Sequence, residues 1–179
     1  MASSTASRRY AQALYELAAE QGAAESVHTD LAGLMDLFAS SPVWRGFVTE
    51  GFGPRAQRSE ALGDVLQGRV HELTLRFLRF LDARRRLSLL PGIITAWTER
   101  YDSERSILRA RVISAAPLTE EQAGRLRDQL SKRFGKSVVL TVSVEPALIG
   151  GLKVQVSDHV FDISLETQLQ HLHHNMLRA

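Results

Sequence analysis

At 179 residues the chain is long enough for one ordinary domain or two small ones, and 44% hydrophobic with 23% charged residues places it among folded rather than disordered proteins. Lys and Arg number 22 against 20 Asp and Glu, and the resulting net charge of +2 permits a nucleic-acid partner without indicating one. Cysteine is absent, which removes disulfide frameworks and thiolate metal sites and points to a reducing compartment; the apolar runs fall short of the roughly 18 residues of a membrane span and no signal-peptide core follows Met1, so a soluble chain is expected.

Up to about residue 105 the apolar period is helical. Tyr10, Ala13, Leu14, Leu17 and Ala18 recur at helical spacing and predict one buried face of a first helix, which Gly22 closes. Val27, Leu31, Leu34, Leu37 and Phe38 predict a second, ended where Ser40, Ser41 and Pro42 supply a cap and a helix-starting proline. A short third helix fits before the GFGP loop at 51–54. Ala61, Leu62, Val65 and Leu66 mark a fourth, and Val70, Leu73, Phe77, Phe80 and Leu81 a fifth. Ser88 is the expected N-cap of a sixth, with Pro91 in its first turn and Leu90, Ile94, Trp97 and Tyr101 as its buried stripe. Five or six short helices with brief connections describe an antiparallel bundle.

After Arg105 the period changes to 2, which sets the expected boundary between Asp102 and Ser106 and divides the chain into residues 1–105 and 106–179. Leu108, Ala110 and Val112 alternate with Arg109 and Arg111 as in a strand with one face in water. TEEQ at 119–122 is a capping box, and Ala123, Leu126, Leu130 and Phe134 continue that helix to Gly135. VVLTVSV at 138–144 and LKVQV at 152–156 read as strands, Ser157 and Asp158 as a turn into a fourth strand holding Phe161, and Ser164 as the cap of a last helix. The fold class is therefore α+β, a helical bundle followed by a small α/β domain with a mixed sheet. Gly150 and Gly151, between the second and third of these strands, are expected to serve geometry, by a positive φ or by letting another backbone pass closely.

Chemical motifs fail when tested. FGKS at 134–137 lacks the upstream glycine and leading strand of a phosphate loop, and HEL at 71–73 has Leu75 where a zinc-protease helix needs histidine. His171, His173 and His174 have no carboxylate nearby and suit a helix C-terminus. Arg76, Arg79 and the Arg84–Arg86 run could grip phosphates, yet a solvated helix end favoured by the dipole is the ordinary reading of such a run. No catalytic set, cofactor loop or metal site stands out.

The stretch VEPALIGGLKVQVSDHVFDISLETQL, Val144 to Leu169, resembles the C-terminal signature of the delta subunit of F-type ATP synthases, called OSCP in mitochondria. RRYAQALYELA at 8–18 is similar to that family's opening helix, FLRFLDARRRLSLLPGI at 77–93 to its corner between the fifth and sixth helices, and VISAAPLTEEQ at 112–122 to the start of its second domain. Ser157, Ile163 and Glu166 depart from the pattern: Ser157 replaces a usual hairpin glycine, Ile163 a small residue, and the last helix lacks the family's arginines. The resemblance implies a non-catalytic stator subunit that needs no cofactor. Its bundle would hold the N-terminal helices of alpha subunits at the top of the catalytic head, and its second domain would meet the b subunits of the peripheral stalk. Membrane association would be indirect, at the cytoplasmic face of a bacterial inner membrane. A groove between the first and fifth helices would offer Tyr10, Leu14, Leu17, Phe77 and Leu81 to a partner helix, with Leu14 and Phe77 partly exposed in the free bundle; the same residues fit a plain core. An RNA-binding helical module is the alternative function that the basic edges leave open.

Overall fold

The structure, a computed structural model, describes residues 4–50, 55–146, 148, 150–156 and 159–164. Among them the chain forms α1 (Thr5–Glu20), α2 (Ala24–Ser40), α3 (Pro42–Glu50), α4 (Arg55–Leu66), α5 (Glu72–Ala83), a 3-10 turn (Leu87–Leu89), α6 (Leu90–Glu104), β1 (Ile107–Ser114), α7 (Glu120–Phe134), β2 (Ser137–Val144), β3 (Gly151–Val156) and β4 (His159–Ser164). The expected α+β class is what the chain adopts. It divides into two compact units, Met1–Tyr101 and Asp102–Ala179.

In the helical unit the termini follow local chemistry. Ser4 caps α1 by accepting from the Ser7 backbone N–H at 3.1 Å, and α1 closes in a Schellman motif with Gly22 at φ 65°. The Ser41 hydroxyl accepts from the Trp44 N–H at 3.3 Å and starts α3 at Pro42. Asp30 of α2 reaches the start of α5, where its Oδ2 accepts from the His71 N–H and from the Thr74 hydroxyl, both at 2.7 Å. Leu14, Leu31, Leu34, Leu62, Leu78, Leu81, Ile93 and Trp97 make the centre of the core. One buried ion pair, Arg58 to Asp82 at 2.7 Å, ties α4 to α5.

Two expectations need correction. The buried stripe of α1 is Ser7, Ala11, Leu14 and Ala18, so Ala13 and Leu17 face outward. Ser7 and Ala11 are small, and burying them lets a neighbouring helix approach closely. Ser88 is no N-cap: it lies in the 3-10 turn, and α6 begins at Leu90 with Pro91 still in its first turn, where the missing N–H is harmless.

In the second unit the sheet order is β2-β1-β3-β4. β1 pairs with β2 in parallel through the α7 crossover, while β1 with β3 and β3 with β4 are antiparallel. Thr119 and Gln122 form the expected capping box and Gly135 the left-handed C-cap of α7. Ala110, Val112, Val138, Val154 and Val156 face Leu130 of α7 as the core, and Arg109 and Arg111 point away, as the alternation requires. The expected turn at Ser157 and Asp158 and the expected helix after Ser164 lie outside the described residues.

Candidate functional site

The surface that α1 and α5 share is where the sequence placed a partner helix. α5 starts against Asp30 of α2 and ends on α1, where the rings of Phe80 and Tyr10 meet edge-on with centroids 6.2 Å apart. The start of α5 thus lies at Asp30 of α2, and its end and exit lie at Tyr10 of α1. Leu17 lies two turns along α1 from Tyr10 and is 46% exposed; Phe80 is 43% exposed. With half-buried Tyr10 and exposed Ala13 they form an apolar ridge on the outside of a bundle whose interior is already filled.

The five expected groove residues therefore separate. Tyr10 and Leu17 are on the surface. Leu14 at 1%, Leu81 at 0% and Phe77 at 9% exposure are core, so the expected partial exposure of Leu14 and Phe77 is absent. They belong to the buried core of the helical unit. Phe80, one of the residues that mark the fifth helix in the sequence, lies on the surface, with Arg79 before it and Arg84 one turn beyond.

The basic stretch also resolves into parts. Arg76 pairs with Glu72 on the same helix, and Arg79 lies across α4 so closely that a Cβ at Gly63 would stand 2.7 Å from its Nη2. Arg84 and Arg86 instead cover rings: the Arg84 guanidinium carbon is 5.4 Å from the Phe80 centroid and that of Arg86 5.7 Å from the Tyr10 centroid. Arg86 Nη1 also donates to the Tyr10 hydroxyl at 2.7 Å.

A second apolar hollow of about 280 Å³ lies between α2, α3 and α4, lined by Leu37, Trp44, Phe47, Leu62 and Val65 among others. Trp44 and Phe47 stack there with centroids 5.6 Å apart, and Leu37 and Val65 are exposed. In the sheet unit, Gly151 opens β3 at φ 85°, a conformation that favours glycine, and pairs with Ser164; Gly150 is half-buried in the bend before it. Among the described residues no group of His, Asp and Glu could hold a metal ion, and no helix is long and apolar enough to cross a membrane. His171, His173 and His174 lie outside the described residues.

The family model described as ATP synthase delta (OSCP) subunit matches residues 6–176. An ATP synthase subunit delta of Symbiobacterium thermophilum is 35% identical over 96% of this chain and 92% of its own length. One from Salinibacter ruber is 35% identical over 100% of this chain and 94% of its own. Among solved structures, a chain of the Toxoplasma gondii mitochondrial ATP synthase hexamer superposes with a TM-score of 0.75 over 97% of this chain and 98% of that one, at 24% identity, a likeness of fold. Nothing in these comparisons supports the RNA-binding alternative. Family match and near full-length identity together show that the chain belongs to the ATP synthase delta (OSCP) family, the peripheral-stalk subunits of F-type ATP synthases.

Proposed function

We propose that the chain acts as a non-catalytic tie in the stator, holding N-terminal helices of alpha subunits with its helical unit and meeting the b subunits with its sheet unit. The observation that carries this reading is exposed Leu17 and Phe80 with half-buried Tyr10 on α1 and α5, whose Leu14, Phe77 and Leu81 are buried in the core. A helix laid along them would bury apolar side chains at helical spacing, the helix-in-groove mode. The hollow between α2, α3 and α4 offers a second such surface, which suits a head with several alpha chains. A tie under torque needs slow dissociation, and buried apolar contact supplies that without chemistry or a cofactor. Residues 1–105 would serve the head and 106–179 the stalk, at the cytoplasmic face of a bacterial inner membrane, with membrane association only through the complex.

Capture of the tagged full-length chain from a native membrane extract tests the reading. Alpha and b chains should be recovered with it, and recovery should survive moderate salt. Recovery of nucleic acid instead, lost steeply as salt rises, would favour an RNA-binding module and sink the proposal.

A further inference from the structure

The end of α5 is built in an unusual way for its geometry. The Arg85 N–H donates to the Asp82 carbonyl and the Arg86 N–H to the Leu81 carbonyl, both at 2.9 Å, which is a Schellman motif with Arg85 in the left-handed position at φ 55°. α1 ends in the same motif with Gly22 there. A side chain in this conformation is disfavoured, so a glycine would close α5 with less strain, and the turn itself does not call for arginine. What the turn does is reverse the chain so that Arg84 and Arg86 return over Phe80 and Tyr10.

Arg84, Arg85 and Arg86 are all exposed, and among the described residues none of them is in an ion pair. Each guanidinium carries five donors; Arg86 spends one on the Tyr10 hydroxyl, and ring contact spends none. Arg8 and Arg9 add exposed charge near the start of α1, whose first turn holds no acid and where the helix dipole disfavours cations, so helix stability does not explain them. At the other end of the ridge α1 carries exposed Glu16 and Glu20. The ridge thus has a basic end with donors to spare and an acidic end.

We propose that Arg84 and Arg86 form a carboxylate-binding end of the α1–α5 groove, so that a docked amphipathic helix lies in one direction, its acidic turn over the end of α5. This rests on the helix-docking reading above. The Arg86 guanidinium is anchored by its bond to the Tyr10 hydroxyl and that of Arg84 lies over the Phe80 ring, and a planar fork so restrained suits a bidentate carboxylate. The apolar ridge supplies contact area, while the charges select direction, since a reversed helix would set its acids against Glu16 and Glu20.

Two synthetic amphipathic peptides with one apolar stripe test it, the first with glutamates in one terminal turn and the second with glutamines at those places, each titrated against the full-length chain. The glutamate peptide should bind about five- to tenfold more tightly at low salt, with the advantage shrinking as salt screens it. In the R84Q/R86Q double variant both peptides should bind as the glutamine peptide binds the wild type, which separates lost charge recognition from a damaged fold. A photocrosslinker beside the glutamates should label residues 84–87 rather than the last turn of α1. Equal binding of both peptides to the wild type, or labelling at the wrong end, overturns the directional proposal and leaves the groove standing. Binding of neither peptide overturns the groove reading as well. Tight capture of a uridine oligonucleotide through the same arginines at physiological salt overturns both.

Discussion

The two units differ in how completely they bury what they have. In the helical unit Leu14, Leu31, Leu78, Leu81, Ile93 and Trp97 are all but sealed from water, and Asp82 and Asp30 add polar ties between helices. Among the described residues of the sheet unit, α7 packs on the sheet, and of α7 only Leu130 is buried, with Leu126 and Phe134 partly buried. Exposure has different meanings in the two. Where the interior is full, as under Leu17 and Phe80, an apolar side chain outside is surplus to folding and free to serve a partner. Where the core is thinner among the described residues, as at Val139 and Val142 on the edge strand β2, the same exposure goes with less cover from those residues.

The largest blow to the helical unit should come from Asp82→Ala. The Asp82 side chain is 3% exposed, and its removal breaks its largely buried ion pair with Arg58, at a cost of about 3 to 5 kcal/mol. Urea unfolding followed by helix signal measures it. A loss under 1 kcal/mol would mean that α4 and α5 are held by packing alone and that the polar tie is incidental.

Next comes Val112→Ala, which removes two buried carbons from the centre of the sheet core and should cost about 2 kcal/mol. Amide exchange should accelerate in β1, β2 and β3 and stay unchanged in α1 and α5. Equal acceleration in both units would mean that the two unfold as one.

Much of this contrast was legible in the sequence, and the exceptions have a common cause. Change of period at Ser106, the Thr119–Gln122 capping box and the glycine stops at Gly22 and Gly135 depend on local backbone chemistry, which neighbouring residues determine. The face of α1 does not. Tyr10 and Leu17 outweigh Ser7 and Ala11 on any hydrophobic scale, yet close helix packing selects the small residues, and the spacing of Ser7, Ala11, Leu14 and Ala18 was the cue. The docking surface could be named from the family resemblance, but which of its residues face outward depends on neighbours distant in sequence.

A smaller effect is expected at Gly151→Ala. At φ 85° a Cβ costs about 1 kcal/mol, felt where β3 begins beside Ser164 of β4. Thermal unfolding of the full chain should show the sheet signal shifting down while the helical signal holds. If the variant is as stable as the wild type, the paired glycines are not there for backbone freedom, and close approach of another chain becomes their better explanation.

Leu17→Ala should have the smallest effect on stability and separates surplus from shortage most sharply. Leu17 is 46% exposed and stands outside the core that holds Leu14, so truncation opens no cavity and should change unfolding free energy by less than about 0.5 kcal/mol. Leu14→Ala, one turn away on the buried stripe, should cost about 2 to 5 kcal/mol. If the ridge receives a helix, the order reverses in binding: Leu17→Ala should weaken capture of an alpha N-terminal peptide by about 1 to 3 kcal/mol, because the lost contact lies in the interface. Leu14→Ala, measured where it is still folded, should bind nearly as the wild type does. Unfolding and peptide titration on the same two proteins give four numbers with opposite ranks. Should Leu17→Ala leave both stability and binding untouched, the ridge is ordinary surface, and the partner must be sought at the hollow between α2, α3 and α4.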